Sequence, residues 1–172
     1  MPDDTFIAPL RRPAAVDLQM RRARRADLKA ILAATAQTVW DDIPEDERAR
    51  LVRPEWEKHL RKKIEPFLDA SRIESWVAED PAGTLLGYIV VGPGGGFLTP
   101  ESCGFIFDVW VAPDHRGTGI GKSLVTWAID WARGRGYRKI KLEVAESNPR
   151  ARRLYEELGF RPERHHLGKV LE

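Results

Sequence analysis

The segment Val111-Ala-Pro-Asp-His-Arg-Gly-Thr-Gly-Ile-Gly121, followed by Lys122, Ser123 and an apolar run, limits what this chain can fold into more than any other stretch. Residues Phe105 to Val111 are rich in β-branched and aromatic side chains and read as a strand. Leu124, Val125, Ala128, Ile129 and Ala132 recur with helical spacing up to Arg133-Gly134-Arg135-Gly136, which closes a helix. Gly117, Gly119 and Gly121 stand between the two, so the backbone can turn tightly and no side chain blocks approach to it. A helix N-terminus carries four unpaired amides and the positive end of the helix dipole, which suits an anion such as pyrophosphate. Arg116 and Lys122 add full charges.

Spacing sorts the phosphate-binding patterns open to such a loop. A P-loop needs Gly, four residues, then Gly-Lys-Ser/Thr; Gly121-Lys122-Ser123 supplies the end, but Arg116 stands where the first glycine belongs. A dinucleotide fingerprint needs a glycine three residues after Gly119, and Lys122 is there instead. What remains is Arg116-x-x-Gly119-x-Gly121. A plain Gly-rich turn that only caps a helix, and a nucleotide-dependent enzyme with an irregular P-loop, are the other readings of the same residues.

Composition bounds the rest. The 172 residues fit a single domain over 16–172, and a domain this size buries roughly 70% of its unfolded surface. Residues 1–15, with Pro2, Pro9 and Pro13, read as a mobile arm. A 42% hydrophobic and 31% charged content excludes disordered and collagen-like classes. A net charge of only +2 gives no general field for nucleic acid, so Arg21-Arg22-Ala23-Arg24-Arg25 reads as a solvated strand-to-helix turn. Cys103 is the only cysteine, which rules out an intramolecular disulfide and agrees with a reducing, cytoplasmic setting. No apolar stretch approaches 18 residues and the start lacks a signal peptide pattern, so the expectation is a protein neither membrane-spanning nor exported.

Along the chain, Val16, Leu18 and Met20 alternate as a strand, and Ala26 to Trp40 turns helical with Leu28, Ile31, Leu32 and Thr35 as its stripe. Pro44 to Leu68 predicts two helices or a kinked one, with Trp56, Leu60, Ile64 and Phe67 on one face and Pro54 and Pro66 interrupting. Ile73–Glu79 and Thr84–Val91 predict a hairpin turning at Asp80-Pro81-Ala82-Gly83. Gly92 to Gly104 is glycine and proline rich and predicts a long flexible loop. Ile140, Leu142 and Val144 alternate as another strand, and a helix runs from Asn148-Pro149 through Leu158 until Gly159 stops it. The tail adds one or two strands at most. This order is α/β or α+β with a mixed sheet.

The pattern at Arg116, Gly119 and Gly121 resembles the acyl-CoA pyrophosphate loop of the GNAT superfamily of N-acetyltransferases. The run Leu142-Glu-Val-Ala-Glu-Ser-Asn148-Pro-Arg-Ala-Arg-Arg-Leu-Tyr155-Glu-Glu-Leu-Gly-Phe160 resembles the closing motif of the same superfamily, most of all enzymes that acetylate protein N-terminal amines. The resemblance covers residues 104–160. It implies a mixed, mostly antiparallel sheet of six to seven strands flanked by about four helices, and acetyl-CoA as acyl donor without a metal. It also implies direct transfer to an amine in a ternary complex. Arg116, Gly117, Thr118, Gly119, Ile120, Gly121 and Lys122 would hold the pyrophosphate, main-chain groups of Val109, Trp110 and Val111 the pantetheine amides, and Asn148 the pantetheine arm. Tyr155 would lie near the CoA sulfur as acid, and Glu143 matches the general base, with Asp108 and Glu146 as alternatives. Asn148 is equally an N-cap and Tyr155 equally a core aromatic.

The acceptor, a small-molecule or a peptide or protein amine, is not written in the sequence. Asp41, Asp42, Glu45, Asp46 and Glu47 could attract it, although a solvated helix start explains them as well. Cys103 lacks a base nearby and reads as a surface thiol; the adjacent His165 and His166 have no zinc spacing and read as a solvated tail. Trp127 and Trp131 are core or the face of a homodimer. A non-catalytic acyl-CoA sensor or partner-binding domain on the same fold is the alternative function.

Overall fold

The computed structural model describes residues 18–95 and 101–171; the expected arm, Val16 and residues 96–100 lie outside them. Strands β1 (Gln19–Arg22), β2 (Glu74–Glu79), β3 (Leu85–Gly95), β4 (Ser102–Val111) and β5 (Ile140–Leu142) form one sheet in sequence order. Helices are α1 (Leu28–Asp42), α2 (Glu45–Arg48), α3 (Arg53–Leu68), α4 (Ile120–Gly134) and α5 (Pro149–Glu157). Neighbouring strands are antiparallel except β4 and β5, which are parallel. The mixed, mostly antiparallel architecture is therefore as expected, with five strands among the described residues instead of six or seven. The tail after α5 forms none of them. None of the described helices is long and apolar enough to cross a membrane.

The sheet has a core on each face because β2 and β3 alternate or run apolar on both sides. On one face, Ala78, Leu86, Ile89, Val91 and Ile106 pack with Leu124, Val125, Trp127 and Ala128 of α4 and Tyr155 of α5. On the other, Val77, Tyr88 and Val90 pack with Ile31 of α1 and, at its margin, Phe67 of α3 and Trp110. The β2–β3 turn forms as its sequence demands, with Asp80 Oδ1 accepting from the amides of Ala82 (2.9 Å) and Thr84 (2.8 Å).

Several expectations need correcting. Pro54 sits in the first turn of α3, where a missing N–H costs nothing, so it opens the helix instead of interrupting it. The Gly92–Gly104 stretch is not a loop throughout: β3 runs to Gly95 and β4 starts at Ser102, with Gly92 opposite Phe105 and Pro93 opposite Gly104. Its glycines are there for space. A Cβ on Gly92 would lie 2.7 Å from Ile73 Cδ1 and 3.0 Å from Arg72 O. Cys103 consequently is buried, with its thiol directed at Gly94 O (3.5 Å), and is no surface thiol. The expected strand at Ile140, Leu142 and Val144 ends at Leu142, and Val144 is exposed.

The basic run at 21–25 is less solvated than its composition suggests. Arg21 bonds Asp27 (2.7 Å) and Glu79 (2.9 Å), which holds the Asp27 carboxyl below its usual range, and Arg22 lies over the Trp76 ring at 5.9 Å. Trp127 and Trp131 are used within the protomer. Trp127 packs on Trp76 (4.8 Å) as part of the core, and Trp131, half-buried, has its Nε1 donating to the buried Glu74 (3.3 Å).

Candidate active site

The loop after β4 reaches α4 through two residues in the left-handed region, Gly117 (φ 87°) and Gly119 (φ 93°), a conformation that strains any residue with a Cβ. The first hydrogen bond of the helix runs from Ser123 N to Gly119 O (3.0 Å). The amides of Ile120, Gly121 and Lys122 therefore have no carbonyl one turn earlier to meet and point out of the helix end. Gly121 differs from the other two glycines. It has no positive φ, and an added Cβ would lie at ordinary contact distance from Leu154 (3.4 Å) and Val111 (3.6 Å), so neither backbone conformation nor packing within the protomer demands glycine there.

Side chains fix this turn and charge it. Thr118 Oγ1 donates to His115 O (2.6 Å), and Arg116 Nε donates to Val111 O (3.1 Å), which ties the loop to the end of β4. The Arg116 Nη groups are uncommitted among the described residues. Lys122 Nζ lies 3.7 Å from Glu157, both exposed. Arg150, which the sequence reading did not single out, reaches across from α5: its Nη2 is 3.3 Å from where a Gly117 Cβ would be. The signal was a basic first turn on a helix whose N-cap was already identified.

β4 leads into this turn with one edge open. It pairs with β5 only through Gly104↔Ile140, Phe105↔Lys141 and Ile106↔Leu142. On its other side the register skips Phe107, passing from Val91↔Ile106 to Val90↔Asp108. That bulge re-aims β4, while the chain after Leu142 turns away toward Asn148. The result is a fork. From Asp108 to Val111 the strand is laddered to β3 alone, so its outward main-chain groups line the fork that runs to the α4 N-terminus.

Tyr155 closes the fork from α5. It is buried at 7% exposure, edge-on to Phe160 (5.9 Å), and its hydroxyl has no hydrogen-bond partner among the described residues. Burial first, then the charges of Asp108 and Asp42, push the phenol up to about 12. Asn148 caps α5, its Oδ1 accepting from Ala151 N (3.2 Å), so the capping role is realised and its side-chain amide nitrogen is still uncommitted among the described residues.

Across the sheet, Asp108 Oδ2 accepts from Thr35 Oγ1 (2.7 Å) and Tyr88 OH (2.8 Å), and those two oxygens lie 2.9 Å apart. Tyr88 stacks on Trp110 (5.7 Å, 19°). Burial pushes the Asp108 carboxyl up, against the pull of both hydroxyls and the Val109 amide. Asp42, at the end of α1, is raised by burial and then by Asp41 and Asp108. The acidic patch thus divides: Asp42 belongs to this cluster, whereas Glu45, Asp46 and Glu47 are the exposed first turn of α2. Thr35 and Tyr88 were missed as site residues because a helix stripe and a strand interior absorb them in the sequence.

The remaining candidates fall out as follows. Glu143 is exposed, one residue past the end of β5, at the mouth of the fork. Glu146 is exposed and ion-paired with Arg152. His165 and His166 are exposed in the tail, and among the described residues no three His, Cys, Asp or Glu are grouped to hold a metal ion.

A strand, a bulge, an open fork and a positive helix end follow one another in this order. The acetyltransferase (GNAT) family model matches residues 29–160, and the chain belongs to that family. It is 34% identical over 162 residues to a mycothiol acetyltransferase of Salinispora tropica, which covers 89% of this chain and 48% of that relative. The chain thus spans about half the length of such relatives. Among solved structures, a Pyrococcus furiosus protein superposes with a TM-score of 0.77 at 23% identity over 90% of this chain and 100% of that one. A GCN5-related N-acetyltransferase from Ralstonia eutropha gives 0.71 at 20% identity over 89% and 98%. These two likenesses are of fold.

Proposed function

We propose that the chain is an acetyl-CoA-dependent N-acetyltransferase that passes an acetyl group to a primary amine by direct attack in a ternary complex. The observation that carries this reading is the alignment, along one edge of β4, of the α4 amides, the open fork and the Tyr155 hydroxyl. An anion at one end, an amide-bearing arm in the middle and a thioester at the other end would each meet the group it needs.

The residues present fit such a donor. Gly117 to Lys122, with Arg116, Lys122 and Arg150 around them, offer amides and cations to a pyrophosphate. The Ala112 N–Leu86 O bond sets the alternation so that Trp110 turns its main chain to β3 while Val109 and Val111 turn theirs outward. Val109 and the Val111 amide, not Trp110, therefore offer strand edge to the pantetheine amides, as Asn148 offers its side-chain nitrogen. Bound there, acetyl-CoA supplies an activated acyl group with a thiol leaving group. A backbone amide at the same edge is the natural donor to a developing oxyanion. A primary amine has a pKa of about 10 in solution, so it arrives protonated and must give a proton to a carboxylate at the fork, where Asp108 and Glu143 both lie. Tyr155, held neutral by its surroundings, donates to the departing sulfur. The mycothiol acetyltransferase relative supports a small-molecule amine as acceptor.

Isothermal titration tests the donor site. One equivalent of acetyl-CoA is expected to bind, and ATP is expected not to displace it. Tighter binding of ATP than of acetyl-CoA would return the loop to the irregular P-loop reading.

A further inference from the structure

We propose that Asp108, not Glu143, takes the proton from the acceptor ammonium, and that Asp42 holds that ammonium beside it, so that the site selects a cationic primary amine. This inference rests on the transferase reading above.

The first ground is charge. The other shielded carboxylates have cations of their own: Glu74 has Arg135 and, at 3.9 Å, Arg22, while Asp27 and Glu79 share Arg21. Asp108 and Asp42 have no ion pair among the described residues, although Asp108 is enclosed by α1, β3 and its own strand. Leaving such a carboxylate without a cation is costly unless a cation comes from elsewhere. An acceptor ammonium is that cation.

The second ground is geometry. Thr35 (6% exposed) and Tyr88 (0%) converge on one oxygen of Asp108, Oδ2, and fix the carboxylate plane. The second oxygen, Oδ1, is outside that triangle. The last β4 residue paired with β5 is Ile106, and the bulged Phe107 separates it from Asp108, so Asp108 stands where the fork opens. Asp42 lies two turns beyond Thr35 on the same face of α1, the face that meets Asp108 through Thr35, and the upward push of the Asp108 charge on both the Asp42 carboxyl and the Tyr155 phenol agrees with that placement. Glu143 has none of these restraints. It is exposed and no described hydrogen bond orients it.

In the step this implies, an N–H bond of the ammonium breaks and an O–H bond forms on Asp108 Oδ1. The freed lone pair makes the N–C bond to the thioester carbonyl as the C–S bond breaks, and the sulfur leaves as a thiolate that accepts a hydrogen bond from Tyr155. The amide nitrogen loses its second proton, and that proton and the one taken up by Asp108 leave to solvent. Thr35 and Tyr88 are positioning residues, acting only through Asp108.

The pH dependence of amine turnover tests this. The titratable groups facing Asp108 are Tyr88 on β3, Asp42 on α1 and Tyr155 on α5. Asp108→Asn is expected to lose at least about 100-fold in kcat while acetyl-CoA binding is retained. Thr35→Val and Tyr88→Phe each remove a donor that favours the carboxylate, so the acid limb of kcat should move to higher pH in both; the amine's own pKa is the same in every variant. Asp42→Asn should raise KM for the amine more than it lowers kcat, and Glu143→Gln should keep the wild-type limb. If Asp108→Asn does not fold, the two hydroxyl variants decide. Loss of the limb in Glu143→Gln, or a limb unmoved in both hydroxyl variants, overturns the assignment. A wild type that binds acetyl-CoA yet acetylates no amine overturns the transferase reading and this inference with it.

Discussion

Replacing Tyr155 with Phe removes one oxygen and leaves the ring in its packing against Phe160. Its phenol is pushed up to about 12, whereas a thiol leaving group has a pKa of about 8.5. The gap of about 3.5 units makes full proton transfer to a free thiolate uphill by about 5 kcal/mol. Tyr155 therefore works chiefly as a hydrogen-bond donor to the developing charge. Such a bond to an ion contributes about 1.5–3 kcal/mol, which corresponds to a loss of about 10- to 150-fold in kcat. The assay is steady-state release of free thiol from acetyl-CoA at saturating amine, with binding of acetyl-CoA measured in parallel. Kd should be nearly unchanged, because the hydroxyl has no partner within the described residues. A fall in kcat below threefold would refute the role. A loss of binding as large as the loss of rate would reassign Tyr155 to packing.

Other expectations follow from the same geometry. Gly119→Ala forces a Cβ onto a residue at φ 93° at a cost of about 1–2 kcal/mol, so both thermal stability and acetyl-CoA affinity should fall, the latter by titration calorimetry at least tenfold. Arg150→Ala should weaken acetyl-CoA binding several-fold, and the difference from wild type should shrink as salt is raised, since a partly exposed cation is screened. Asp108→Asn should raise the melting temperature at pH 7 even as it lowers kcat by at least about 100-fold. The folded Asp108 carboxyl is raised above its ordinary 3.8, so the fold binds a proton more readily than the unfolded chain, and ionisation at neutral pH weakens it. That gain should fade as the pH falls below 3.8, where both states become protonated.

Motifs that depend on local sequence were legible. The α4 cradle declared itself by its glycines and the helix that follows, and α5 by Asn148-Pro149 ahead of an amphipathic run. The cluster around Asp108 was legible only as its separate carboxylates, Asp108 and Asp42, because the rest depends on which faces meet. Thr35 reads as part of a helix stripe and Tyr88 as strand interior, and only the α1–β3–β4 packing brings their hydroxyls onto Asp108. Gly92 and Gly94 misled for a related reason: in isolation they mark a loop, yet here they let β3 pass close under Ile73, Phe105 and Phe107. β5 stops early because its partner strand bulges, which no periodicity in Ile140, Leu142 and Val144 could announce.

The central claim is most directly tested by following free thiol release from acetyl-CoA over a panel of N-terminal peptides, lysine peptides, polyamines, amino acids and aminoglycosides. Release that depends on a cationic primary amine, one acetyl group gained per thiol freed, is the predicted result. Tight acetyl-CoA binding with no amine in any class acetylated would contradict it and make the chain an acyl-CoA-binding domain on the same fold.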